Sequence, residues 1–234
     1  MSIALIDADA FFVAVARLSD PEGAGREPLL IVGGSAQSRG VVCSASYETR
    51  KFGVRSAMPI AQALRLCPKA MCVPVPRREC AEKSRQIRSI LLRFTPLVET
   101  ASIDEWYVNL AGTEALYGNA PLEVTARRIR DAVYAESSVS VSVGGGANKL
   151  VAKLAVELAK PKPDTTATGV HVVAAGAEAE FLTRFALADI PLVGPRFQER
   201  LRRYGMTTVR DVLAYDLQTL IGWFGDREGR WLFD

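Results

Sequence analysis

The chain reads as an α+β protein: a ferredoxin-like split βαβ sheet with a small α/β insertion near its start and a run of short helices at its end. Three observations carry that reading. Ile3-Ala4-Leu5-Ile6 is an apolar run of strand length that stops at Asp7-Ala8-Asp9. Residues 98–110 alternate like a second strand and carry the adjacent acids Asp104 and Glu105 at their middle. Between and after them, residues 77–94 and 122–134 show helical periodicity, and 139–146 alternates as a strand before ending in three glycines. Helices are expected on one side of the sheet.

Composition narrows the class. With 49% hydrophobic and 24% charged residues over 234 positions, the chain has a globular balance and length for one large or two to three small domains. No apolar run of membrane-spanning length and no secretion-type leader stand out, so a cytoplasmic location without a membrane is expected. The four cysteines match no zinc spacing and read as reduced. His171 is the single histidine, which excludes a multi-histidine metal site, and a sheet position is its plain reading. The net charge of +3 is modest but unevenly spread, with five Lys/Arg and no acid in residues 50–69.

Taken in order, Asp7 lies at the end of a buried strand, and a carboxylate there suits a hard divalent cation. If the two acid-bearing strands are neighbours, Asp7, Asp104 and Glu105 converge. Asp9 stands where the N-cap of a helix over 11–18 would fall, and capping is expected of it ahead of metal ligation, for which Asp7 is better placed. Residues 28–34 and 40–46 are strands. Tyr47 and Arg50, three apart on a short helix that Gly53 ends, share a face. They form either a phosphate clamp, since Arg gives two parallel bonds to phosphate oxygens, or an ordinary solvated face. Residues 59–67 resume a helix, and 73–76 read as an extended connector.

The basic side of the 77–94 helix, six Lys/Arg against two Glu, reads as a wet face. The glycines at 144–146 lead into a helix carrying Lys149, Lys153 and Lys160; the turn could cradle phosphate, but its spacing is that of no standard nucleotide loop. Composition shifts after Pro163. Residues 189–206 then read as helix end, glycine turn around Gly194, and a basic helix with Arg196 and Arg200. That pattern is either a helix-hairpin-helix grip on the DNA backbone or a merely structural hairpin, since Leu192 stands where a glycine is common.

Together, Asp-x-Asp-x-Phe-Phe at 7–12, Tyr-Glu-x-Arg-Lys-Phe-Gly-Val at 47–54, Ser-Ile-Asp-Glu at 102–105, and Asn-Lys-Leu-x-Ala-Lys with Ala-Lys-Pro at 148–161 resemble the Y-family, DinB-like translesion DNA polymerases, over nearly the whole chain. The resemblance implies a catalytic palm from 1–10 and 77–166, fingers from 11–76 and a helical thumb from 167–234. It implies that Asp7, Asp104, Glu105 and the carbonyl of Ala8 hold two Mg²⁺ ions. Tyr47, Arg50 and Lys160 would hold the β- and γ-phosphates of a deoxynucleoside triphosphate, with Ser44 nearby. Phe12, beside Phe11, would lie under the sugar and exclude a 2′-hydroxyl, its alternative being plain core packing. Ser102, Lys149, Lys153, Gly194, Arg196 and Arg200 would meet primer-template DNA.

Two departures accompany the resemblance. Ala16 stands where the family usually has an acid, and no little-finger domain follows Asp234. A weaker grip on DNA is therefore expected. The implied activity is low-fidelity, lesion-bypass DNA synthesis by a monomer, with a sliding clamp as a further partner through the missing C-terminal region. The alternatives are an inactive polymerase-like repair accessory, which would be expected to have lost metal ligands, and a palm-fold nucleotide cyclase, which would need neither the Tyr47/Arg50 clamp nor the hairpin tail.

Overall fold

The computed structural model describes residues 2–35, 39–161 and 168–234. Its centre is a five-stranded sheet in the order β5-β6-β1-β7-β8: β5 Val98–Thr100, β6 Glu105–Asn109, β1 Ile3–Ala8, β7 Val141–Gly146 and β8 Val170–Val172. β1 runs antiparallel to both β6 and β7, and β8 lies parallel to β7. All six residues of β1 are buried, which explains its unbroken apolar run: a central strand covered on both faces has no wet side to encode.

Helices cover both faces, which corrects the one-sided expectation. Ala4, Ile6 and Ala8 pack against α4 (Arg77–Leu91) through Ile87, Ile90 and Leu91, and against α5 (Leu122–Ser137) through Ile129 and Val133. Ile3 and Leu5, pointing the other way, meet Ala152 and Val156 of α6 (Lys149–Ala159). The glycines of β7 make that second contact possible. A Cβ on Gly144 would lie 2.2 Å from both the Ala152 carbonyl oxygen and the Val156 nitrogen, so the α6 backbone rests directly on the strand.

The inserted lobe follows α1 (Phe11–Ser19). It holds a three-stranded sheet, β3-β2-β4, made of β2 Leu30–Gly33, β3 Val42–Ala45 and β4 Met71–Val73, with α2 (Tyr47–Arg50) and α3 (Ile60–Leu66). The connector expected over 73–76 follows a strand that the sequence pattern does not mark: residues 71–73 pair in parallel with β2. α1 joins the two units: Phe11 and Val15 enter the core of the large sheet, while Val13 and Ala16 pack with Leu30 and Val32.

The C-terminal part is helical, with α7 Glu178–Leu182, α8 Pro195–Arg202, α9 Val209–Val212, α10 Leu217–Phe224 and α11 Asp226–Phe233. Its core takes in Val151, Leu154 and Ala155 of α6. The composition shift at 163–167, and with it the expected boundary at 166/167, lies outside the described residues. His171 sits in β8 as expected, its ring 5.9 Å from that of Phe181. Among the described residues no helix is long and apolar enough to cross a membrane.

Candidate active site

The two acid-bearing segments are neighbours. Asp7 lies opposite Glu105 in the β1–β6 register, so the two carboxylates share one face of the sheet. The run at 98–110 is two strands joined by a turn, not one, and this shifts its acids from the middle of a strand to a strand start: Asp104 is on the turn and Glu105 opens β6. Asp104 is held there because its carbonyl accepts the Ala8 N–H at 2.9 Å. Its side chain accepts a hydrogen bond from the Ser102 hydroxyl.

Two lysines balance the acids. Lys160 Nζ stands 2.9 Å from Asp7 Oδ2, and Lys153 Nζ stands 2.5 Å from Glu105 Oε1 and 4.0 Å from Asp7 Oδ2. Lys160 lies just past α6 in extended backbone, which turns it back over the end of β1. Burial pushes the Asp7 carboxyl up to about 7 despite the opposing charge of Lys160, and Glu105 adds to the rise. Burial acts against the charge of Lys160, but the carboxylates of Asp7 and Glu157 outweigh it and hold the ammonium above the ordinary lysine range. Asp7 Oδ2 is buried and accepts no well-aligned hydrogen bond. A buried carboxylate oxygen met only by lysine ammonium groups, with Glu105 opposite it in the register, is donor chemistry that suits a hard divalent cation. Among the described residues no three acid, cysteine or histidine side chains are closed into a ready metal cage, in keeping with the Asp104 carboxylate being turned to Ser102.

The expected phosphate clamp converges on the same place. The hydroxyl of Ser46 caps α2, accepting the Thr49 N–H at 3.2 Å. Arg50 donates through Nε to the Ala45 carbonyl at 2.9 Å, and its guanidinium lies 5.0 Å from the centre of the Tyr47 ring. Burial pushes the Tyr47 hydroxyl up to about 12; Asp9 and Asp7 add to the rise, while Arg50 and Lys160 oppose it. All four charged groups are thus within electrostatic reach of one hydroxyl. Ser44 is buried on β3.

Asp9 does not cap α1. The residue at the cap is Ala10, in left-handed backbone at φ 46°, and no side chain caps the helix. The Asp9 carboxylate instead accepts the hydroxyls of Ser140 and Ser142, each at 2.7 Å. Phe11 is buried, and Phe12 is half-buried with its ring 5.7 Å from that of Phe11. Ala16 is buried against the inserted lobe, so an acid at this position would face apolar packing.

The remaining candidates are more dispersed. Lys149 pairs with Glu99 at 2.5 Å and lies over the Tyr107 ring, while Lys153 belongs to the acid cluster itself. Gly194 precedes α8 and Arg196 is exposed, but Arg200 is engaged by Glu228 at 2.7 Å and by the rings of Phe197 and Phe224. Leu192 adopts a left-handed φ of 74° with 86% exposure: the turn keeps the conformation that a glycine would supply. Sequence reasoning missed Ser140 and Ser142, although Val-Ser-Val-Ser-Val marks them as a polar face of a strand.

Comparison with known proteins gives the family and the fold. The chain matches the impB/mucB/samB (IMS) family over residues 6–157. It is 40% identical over 220 residues to a DNA polymerase IV of Desulfatibacillum aliphaticivorans, covering 94% of this chain and 53% of the relative. A DNA polymerase IV of Treponema denticola is 38% identical over 228 residues, covering 97% of this chain and 55% of the relative. The chain therefore spans about half the length of these curated relatives. Among solved structures, DinB from Sulfolobus solfataricus superposes with a TM-score of 0.83 at 29% identity, and an insertion ternary complex of Dbh DNA polymerase with 0.85 at 28%; each covers 100% of this chain and 66% of the other. With Asp7, Asp104, Glu105, Tyr47 and Arg50 inside the matched span, the chain belongs to the impB/mucB/samB family, the Y-family that its motifs resemble.

Proposed function

We propose that this chain is the catalytic core of a DNA-directed DNA polymerase of the lesion-bypass type, adding deoxynucleotides to a primer 3′-hydroxyl. The observation that carries the reading is convergence. The Asp7–Glu105 pair of two neighbouring strands, Lys160 from the end of α6, and Tyr47 of α2 meet at one end of the central strands. The sheet with α4, α5 and α6 then serves as palm, residues 11–76 as fingers and the C-terminal helices as thumb.

Asp7, Asp104, Glu105 and the Ala8 carbonyl would hold two Mg²⁺ ions, which when bound favour ionisation of the primer hydroxyl and neutralise triphosphate charge. The chain's own groups do the rest. Tyr47, Arg50 and Lys160 supply a hydroxyl, a guanidinium and an ammonium to the β- and γ-phosphates. The bond from Arg50 to the Ala45 carbonyl sets the guanidinium before the nucleotide arrives, so little side-chain freedom remains to be lost on binding. Ser44 lines the strand beside them. Phe12, with Phe11 locked in the core behind it, faces the sugar. Ser102, Lys149, Lys153, Gly194, Arg196 and Arg200 contact primer-template backbone without reading sequence.

Primer extension with Mg²⁺ on a primed template tests the reading. Asp7→Ala and Asp104→Ala are expected to lower the rate by about a thousandfold or more, since each removes charge stabilisation worth several kcal/mol. Near-normal extension by either folded variant refutes the assignment.

A further inference from the structure

Asp9 is a buried charge that none of the roles above uses. We propose that it is a positioning residue for sugar selection: held by Ser140 and Ser142, it fixes the corner from which Phe12 projects. The inference rests on the reading of Phe12 as the sugar contact.

The corner is tied by three bonds from one residue to a stretch far away in sequence. The Asp9 N–H donates to the Ser140 carbonyl at 2.9 Å, and its two carboxylate oxygens accept the two serine hydroxyls. Charge-assisted bonds of this kind are the stronger class. Ser142 is also the register partner of Asp7, so the tie lies on the same face as the acid cluster. Asp9 also acts on the Tyr47 hydroxyl, whose proton it helps to retain.

What gives the tie its meaning is what the chain forgoes for it. Asp9 precedes a helix and is of a residue type suited to capping, yet its carboxylate faces β7 and the helix goes uncapped. Ala10 then takes left-handed backbone, which an alanine adopts only under constraint from its surroundings. Two local losses at one corner, an uncapped helix and a left-handed alanine, point to a geometry set by something other than stability. Phe11 and Phe12 follow at once. Phe11 is anchored in the core and Phe12 packs where two apolar clusters meet, so a shift of the backbone at positions 9 and 10 moves the ring within that packing. Telling a sugar from its analogue with one more oxygen requires that ring to be placed within a fraction of an ångström.

The test compares Asp9→Ala, Asp9→Asn, Ser140→Ala and Phe12→Ala in single-nucleotide insertion, taking the ratio of kcat/KM for a deoxynucleotide to that for the matching ribonucleotide. Asp9→Ala is expected to lower this ratio about tenfold, and Ser140→Ala to lower it in the same direction. Asp9→Asn, whose amide can bond both serine hydroxyls, is expected to restore most of it. A merely structural role predicts loss of melting temperature with an unchanged ratio. An unchanged ratio in folded Asp9→Ala, or Asn no better than Ala, overturns the proposal. If Asp9→Ala does not fold, Ser140→Ala at its half-buried position decides by the same ratio. Phe12→Ala separates the two levels: if it collapses the ratio while the Asp9 and Ser140 variants keep theirs, only the positioning role fails. If Phe12→Ala itself keeps the ratio, the reading of the sugar contact fails with it.

Discussion

Replacing Gly144 by alanine strikes the contact that holds α6 against the sheet. The added methyl would lie 2.2 Å from the Ala152 carbonyl oxygen, 2.2 Å from the Val156 nitrogen and 2.7 Å from the Val156 Cα. These are backbone atoms, so no rotamer change relieves the clash. Ordinary carbon contacts fall near 3.5–4.0 Å, so the helix has to withdraw by about 1 Å. Overpacking in a well-filled interior costs about 1–3 kcal/mol, and the backbone clash puts this site at the upper end. At about 2–4 °C per kcal/mol for a chain of this size, the melting temperature should fall by about 6–12 °C. Activity should fall further than stability, because Lys153 and Lys160 are carried by α6 and its end, and a 1 Å misplacement costs about a hundredfold in rate. Circular-dichroism melts and single-nucleotide insertion measure the two effects. Gly222→Ala, in α10 with open space around it, is the control and should gain up to about 1 kcal/mol. A Gly144→Ala protein that melts within 2 °C of the parent and keeps its rate refutes the reasoning.

Other outcomes follow from single residues. Asp7 titrates at about 7 when folded against 3.8 as a free side chain, so the metal-free native state holds its proton more tightly than the unfolded chain does. Stability should therefore fall as pH rises from about 4 to 7, by on the order of 4 kcal/mol at 1.4 kcal/mol per pH unit, and Asp7→Asn should flatten this slope in urea melts at pH 5 and 8. Mg²⁺ at pH 8 should raise the melting temperature of the parent and not that of Asp7→Asn; equal shifts would show binding elsewhere. Arg50→Lys, which cannot keep the bond from Nε to Ala45, should raise nucleotide KM about tenfold at nearly unchanged stability, and an unchanged KM removes Arg50 from the clamp. Leu192→Gly should raise stability by up to about 1 kcal/mol by relieving a left-handed leucine, and a loss in denaturant melts would show that the exposed side chain packs.

How much of this was legible in the sequence depended on how local the signal was. β1, β7 and α6 were readable because their burial is written as uninterrupted or periodic apolar residues. The three-residue β4 was not, since Met-Cys-Val is too short to show a period and becomes a strand only with β2 there to pair with it. The convergence of Asp7 with Glu105 could be inferred because two acid-bearing strands in one small sheet have few ways not to be neighbours. The fate of Asp9 could not, because an acid before a helix is the ordinary capping signal, and only the placement of Ser140 and Ser142 131 and 133 positions away turns it elsewhere. Lys153 was legible as a cation but not as a partner of Glu105, since the distance between α6 and β6 exists only after folding.

The double packing of α6 has a consequence for how the molecule opens. Ala152 and Val156 belong to the sheet, while Val151, Leu154 and Ala155 belong to the C-terminal helical cluster, so neither unit has a complete interior without this helix. Fluctuations that expose its amides must open both units at once. In amide hydrogen exchange α6 should accordingly be among the slowest segments of the chain, exchanging only through global unfolding, whereas α9 and α11 are released by partial openings.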